Sequence, residues 1–414
     1  MNEKIQPGQS EADDRPFHSF LEGPSIADVI AGVSVALVLI PQSIAYATIA
    51  NLPAEVGLFA ATLPLIIAAP FLSCPWLQTG PTALTSLLAG GALFASGFNS
   101  ESPEELMAAA ALMAVIVGVT RFTLGTFGLG NFTRLLQPPI VLGFTTAAAI
   151  LIICSQVPKV LGNTSLELVS NVRQGAVLHQ AFASLTAGGW SVYAIGMATF
   201  AGVIAYGGRK IHRLFPSVLL AVLLSMLLAA VIGYSGDTVQ NLPGQYPFPS
   251  FNFPWDKIWS LLVPSIVIAF VGFAEPASIS MTLMGEENLE WDPNQELRAG
   301  GMANFISGVM GGYPVGGSFS RTSVNKFAGA TSSWSGLITG VAVFALLGLT
   351  PFLSSLPLSA LGAIIIVAVI RLIKIVEIYK LFSAATISRF FKNRDVRILF
   401  SDGIRPGILA VFTL

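Results

Sequence analysis

The sequence predicts an all-α polytopic membrane protein. Three observations carry that reading: a shortage of charge, long apolar runs without any charge, and polar breaks that recur between those runs. Hydrophobic residues make up 53% of the 414-residue chain and charged residues 10%, with a mean hydropathy of +0.74. A soluble domain carries roughly 25% charged residues, so this composition does not cover a water-facing surface. Residues 56–100, 135–158, 174–208 and 327–370 contain no Asp, Glu, Lys or Arg. A spanning helix needs about 20 mostly apolar residues, so each run holds one or two spans.

Residues 1–27 are polar and acidic, without the apolar core or small-residue cleavage site of a secretory signal. They read as a cytoplasmic N-terminal segment ahead of a transmembrane domain over 28–414. Spans are expected near 28–50, 56–73, 81–98, 106–127, 135–157, 183–207, 214–234, 258–283, 297–312, 319–331, 335–353 and 358–373. Residues 242–254, with four prolines, read as an ordered outer loop. From 388 to 406 the chain turns basic and broken, and it stops inside a new apolar stretch. One or two further spans, distorted or cut short, are expected there, and a complete chain is expected to continue. Arg134, the Arg209-Lys210-Arg213 cluster, Arg371 and Lys374 fall in loops on one side, against Lys159, Arg173 and Lys257 on the other. The positive-inside rule then puts the N-terminus in the cytoplasm.

Several function classes lose ground on composition. The charge balance, 21 basic against 22 acidic residues, argues against a nucleic-acid partner. Cys74 and Cys154 sit in apolar stretches and imply no disulfide framework. No HExxH, GxSxG or Cys/His metal spacing appears, so no metal, no cofactor and no enzyme activity are expected.

An internal similarity organises the spans. Pro41-Gln-Ser-Ile-Ala resembles Pro276-Ala-Ser-Ile-Ser, and each is followed by a glycine-marked polar break, Gly80-Pro-Thr-Ala and Gly317-Ser-Phe-Ser-Arg. Pro139-Ile-Val-Leu-Gly likewise resembles Pro357-Leu-Ser-Ala-Leu-Gly. Their shared order suggests two related halves of about seven spans, roughly 28–234 and 258–414. An odd number of spans inverts the second half, and inverted repeats with interrupted helices are a transporter signature.

The breaks carry the chemistry. Cys74-Pro-Trp-Leu-Gln-Thr-Gly-Pro81 cannot be continuous helix, and the helix from near Pro81 presents free N–H groups suited to an anion. Pro81 suits the first helical turn. In Gly316-Gly-Ser-Phe-Ser-Arg-Thr-Ser-Val-Asn325, Ser318 or Ser320 can cap the following helix, and Arg321 adds a cation to its first turn. That charge opposes the helix dipole unless an anion joins them. The rival reading pairs Arg321 with a buried acid or a lipid head group. Glu275, the only charge between Lys257 and Glu286, is a functional hypothesis by its place in a span and a candidate to carry protons; its bland role is as a partner for Arg321. Gln42 and Tyr46 share a helix face behind Pro41 and serve either substrate contact or helix packing. The acidic run 286–296 reads as a solvated cytoplasmic loop.

At these residues the sequence resembles the sulfate permease (SulP) family of anion transporters. The similar stretches are Ile40-Pro-Gln-Ser-Ile-Ala-Tyr-Ala-Thr-Ile-Ala-Asn-Leu-Pro-Ala-Glu-Val-Gly-Leu58, Gly80-Pro-Thr82, and Gln295-Glu-Leu-Arg-Ala-Gly-Gly-Met-Ala-Asn304 leading into 316–325. Order and spacing agree from about residue 24 to 375. The resemblance implies fourteen transmembrane helices in two inverted repeats of seven, divided into core and gate domains, with broken third and tenth helices around a substrate pocket. It places Gln42, Tyr46, Thr82, Ala83, Phe319, Ser320 and Arg321 in that pocket and Glu275 at the position used for cation coupling. It further implies a proton-coupled symporter of sulfate, bicarbonate or dicarboxylates working by an elevator-like motion, a homodimer, and a multi-pass place among the lipids of a bacterial inner membrane. Two departures stand out: residues 389–405 are polar where the family's last helices are apolar, and the usual STAS domain is absent from the sequence. The alternatives are an anion channel or exchanger, and a nucleobase permease of related fold. The permease would place an acid, not Arg321, on the tenth helix.

Overall fold

The computed structural model describes residues 23–98, 102–130, 138–163, 177–211, 216–239 and 246–370, together with 242, 244 and 373. These residues are mostly helical. The first half holds α1 (Ile26–Ile49), α2 (Ala54–Ala60), α3 (Leu63–Ala68), β1 (Thr79–Gly80), α4 (Ala83–Ala95), α5 (Pro103–Thr126) and α6 (Pro138–Leu161). Then come α7 (Val177–Thr186), α8 (Val192–Ile211) and α9 (Ser217–Ile232). The second half holds α10 (Ile258–Val271), α11 (Ala274–Glu286), α12 (Pro293–Val309), β2 (Gly316–Gly317), α13 (Phe319–Phe327), α14 (Trp334–Leu346) and α15 (Leu358–Val369). Among the described residues, five stretches are long and apolar enough to cross a membrane: Ile26–Ile49, Ala54–Phe71, Pro103–Thr126, Trp255–Glu286 and Trp334–Ser355.

Local chemistry explains where elements begin and stop. Ser25 and Asp28 form a capping box at the start of α1. The buried Asp28 carboxylate also accepts the Thr331 and Ser332 N–H groups (2.8 and 3.0 Å) and both their hydroxyls. That pins the entry of α1 to the loop before α14. Three expected spans are divided. The one near 56–73 is α2 and α3, separated at Thr62, whose φ of −110° and ψ of −100° are not helical. The span near 183–207 is two helices, because Gly188 and Gly189 take left-handed φ of +67° and +66° between α7 and α8. The span near 258–283 breaks between α10 and α11. There the Phe273 N–H turns to Phe270 O (3.2 Å), while Ala269 O, which a continuing helix would use, accepts from Arg121 Nε (3.0 Å).

The helices pack in two groups. One contains α1 to α5 with α10 to α14; the other contains α6 to α9 with α15. The closest pair is α5 with α12, where glycines replace side chains at the contact. A Cβ on Gly125 would sit 2.6 Å from Asn294 O, and one on Gly301 2.8 Å from Phe122 Cα. Both cysteines are free. The polar tail, residues 1–22, and the charges Arg134, Arg173, Arg213, Arg371 and Lys374 behind the orientation reading lie outside the described residues, as do the side chains of Arg209 and Lys210.

Candidate functional site

Two non-helical segments, 72–82 before α4 and 310–318 before α13, meet in an antiparallel pair, with Thr79 opposite Gly317 and Gly80 opposite Gly316. Freed backbone at membrane depth needs partners from the protein. In the first segment Cys74 N–H donates to Glu296 Oε2 (3.1 Å) and Gln78 N–H to Thr322 Oγ1 (3.0 Å). Asn325 Nδ2 donates to Trp76 O (3.0 Å), and Ser318 N–H to Gln78 O (3.1 Å). In the second, Ser307 Oγ donates to Tyr313 O (2.7 Å). Asn304 holds the Val315 peptide twice, donating to its carbonyl (3.0 Å) and accepting its N–H (2.9 Å).

From the paired strands the chain enters two helices by their N-termini, where backbone N–H groups are free and the dipole is positive. Thr82 caps α4: Thr85 N–H donates to Thr82 Oγ1 (3.2 Å), and Thr82 N–H to Thr85 Oγ1 (3.3 Å). Pro81 therefore precedes the cap and does not open the helical turn. The expected serine cap on α13 is absent. Ser318 holds the N-cap position without a side-chain cap bond, and Ser320 lies inside the first turn. Phe319 N–H donates instead to Glu275 Oε1 of α11 (3.4 Å), because a carboxylate is the stronger acceptor. Glu275 thus holds one oxygen where an anion's oxygen would meet this helix end.

Arg321 is 0% exposed. Its Nη1 donates to Pro81 O (2.8 Å), joining the two segments, while Nε and Nη2 are buried without a partner. No ion pair joins it to a carboxylate among the described residues. On α1, both amide atoms of the buried Gln42 lack partners. Tyr46, one turn on, is within electrostatic range of Arg321. Thr82 and Ala83 are buried beside them, whereas Ser320 is half-buried and Phe319 is 47% exposed, at the rim. A guanidinium with spare donors between two helix N-termini can receive a small oxyanion.

Four further residues escaped the sequence reading. Arg121 of α5 is fully buried and donates to three carbonyls, Ala269 (3.0 Å), Val315 (3.1 Å) and Ile268 (3.3 Å). It is the only charge between Glu105 and Arg134, so the reasoning that singled out Glu275 would have found it. Tyr313 OH donates to Ser86 Oγ (2.7 Å), which donates to Thr82 O (2.6 Å). Gln78 is buried with its amide unpartnered. Glu296, placed by the sequence reading in a solvated loop, is 1% exposed. The start of α12 folds under the first segment, and the Cys74 N–H holds the carboxylate there.

Known proteins resemble this chain in sequence and in fold. The family model described as "Sulfate permease family" matches residues 26–391. "Sulfate transporter 4.1, chloroplastic" of Arabidopsis thaliana is 33% identical over 357 residues, 82% of this chain and 50% of that protein. The chain spans about half the length of that relative. Among solved structures, "The transmembrane domain of a cyanobacterium bicarbonate transporter BicA" aligns with a TM-score of 0.78 at 20% identity, over 94% of this chain and 95% of that one. "The overall structure of SLC26A9" aligns with a TM-score of 0.77 at 21% identity, over 89% and 62%. Both matches speak to the fold alone.

Proposed function

The chain belongs to the sulfate permease family, and from that premise we propose that it carries small anions of the sulfate, bicarbonate or dicarboxylate class across a membrane, coupled to protons. The observation that carries the reading is Arg321, desolvated and with two guanidinium nitrogens unpartnered between the N-termini of α4 and α13. The anion takes those donors together with the free N–H groups of both helices. Gln42 and Tyr46 close the pocket from α1, with Thr82, Ala83, Phe319 and Ser320 around it. Glu275 exchanges the proton. When the anion neutralises the positive field, the carboxylate at the end of α13 loses its stabilisation and takes up a proton. Linkage requires the converse, that protonation favours the anion by the same factor, so the two travel together.

In this reading the 72–82 and 310–318 segments are the breaks of the third and tenth of fourteen spans, in two inverted repeats. The group with α1 and α13 is the core, and the group of α6 to α9 with α15 is the gate against which it slides. The N-terminus is cytoplasmic and the protein a homodimer in the cell membrane. A monomer-sized mass in lipid nanodiscs would count against the dimer. The decisive experiment is uptake of a panel of labelled anions into proteoliposomes, with and without an inward proton gradient. Saturable uptake accelerated by the gradient is expected. Gradient-independent exchange would sink the symport, and current that follows voltage without stoichiometric cargo would indicate a channel.

A further inference from the structure

Glu296 lies in the first turn of α12, four residues before Gly300 and therefore on the same helix face. Its carboxyl oxygens are treated unequally. Oε2 accepts from Cys74 N–H (3.1 Å) and Trp291 Nε1–H (3.3 Å). Oε1 is buried and has no partner. The buried Ser280 hydroxyl of α11 and the Ser73 N–H also lie against this carboxyl as polar neighbours. A small cavity of about 10 Å³ adjoins the group, lined by Thr79, Arg121, Pro276, Glu296, Gly316 and Gly317 among others. That is room for one water molecule, and it reaches the paired strands beneath the anion site.

An ionised carboxylate is acceptor-only and draws donors to both oxygens, whereas a protonated one accepts on its carbonyl oxygen and donates from its hydroxyl oxygen. Glu296 fits the second pattern: the two donors in bonding geometry both meet Oε2, Oε1 has none, and no cation pairs with the carboxyl among the described residues. The charged neighbours do not change this. Arg121, across the cavity, directs its nitrogens to three carbonyls and forms no ion pair with Glu296 among the described residues. On α12 itself, exposed Arg298 faces exposed Asp292 (3.9 Å). The Cys74 thiol is fully buried, and Glu275 on α11 bonds the end of α13.

We propose that Glu296 is a second proton-binding site, protonated on Oε1 at neutral pH and served by the water-sized cavity behind the paired strands. One proton passes from a hydronium in the cavity to Oε1: the hydronium O–H bond breaks, leaving water, as the Oε1–H bond forms. Its use in transport rests on the proton-coupled reading above. Loss of the proton would place a negative charge behind the anion site and promote release on the proton-poor side.

Infrared spectroscopy of the full chain in liposomes tests the site without transport. The carbonyl stretch of a protonated, buried carboxyl should be present at neutral pH, disappear in Glu296→Gln, and persist in Glu275→Gln. If Glu296→Gln does not fold, Ser280→Ala serves, since removing the hydroxyl that lies against the carboxyl should shift the band without abolishing it. A spectrum unchanged by Glu296→Gln, or by Ser280→Ala where that variant is used, overturns the proposal. Unimpaired uptake by Arg321→Ala would overturn the anion reading while leaving this band untouched, so the two failures are separable.

Discussion

Arg121 and Arg321 are both fully buried, on helices that flank the same pair of short strands, yet the protein uses them in opposite ways. Arg121 directs Nε, Nη1 and Nη2 to three carbonyls and ties the end of α10 to the segment before β2. Arg321 uses only Nη1, on Pro81 O, and leaves two nitrogens without a partner. A buried cation with unfilled donors is costly by several kcal/mol, and such strain concentrates at binding sites. Burial therefore does not tell the two arginines apart; the number of satisfied nitrogens does, and it is what makes Arg321 the proposed anion ligand.

The largest effect on the folded state is expected on the structural side. Arg121→Met removes three charge-assisted hydrogen bonds, each contributing about 1.5–3 kcal/mol, and strips Ala269 O of its guanidinium donor. Folded, monodisperse yield and thermal stability should fall steeply. A variant that melts with the wild type would show that these bonds do not hold the α10–α11 break. Glu275→Gln should have no comparable effect on folding, since the amide oxygen can still accept the Phe319 N–H. It mimics the protonated acid, so anion binding should persist while acceleration by an inward pH gradient disappears; retained gradient-driven accumulation would place the coupling elsewhere. Gly80→Ala is the mildest change. Gly80 has φ +141°, and a Cβ there would lie 3.2 Å from Leu65 Cδ1 and 3.4 Å from Arg321 Nη2. Strain of about 1–3 kcal/mol should raise the apparent KM several-fold with folded yield retained, and an unchanged KM would mean that the Gly80 backbone does not set the position of Arg321.

The contrast also marks what the sequence made legible. Charge-free runs located most helices, because the solvent constraint acts on composition directly. Proline and glycine located both non-helical segments, because each acts on its own backbone. What stayed hidden depends on partners distant in sequence. Whether Glu296 faces water or the Cys74 N–H is decided across 222 positions. The cap of α13 comes from Glu275, 44 residues away, so local rules selected Ser318 or Ser320 instead. The division between α10 and α11 has a local signal, Gly272 followed by Pro276 in the first turn of α11, but the guanidinium on α5 that takes up Ala269 O is distant in sequence.

If the two spare nitrogens of Arg321 bind the anion, purified wild type and Arg321→Met should melt differently as sulfate or bicarbonate is increased. A ligand at a hundred times its Kd stabilises a folded protein by about 2.7 kcal/mol, so wild type should melt progressively higher with the anion it carries. Arg321→Met, relieved of an uncompensated buried charge, should melt at or above wild type without anion and show no response to it. An equal anion-dependent rise in the variant would mean that the anion binds without Arg321.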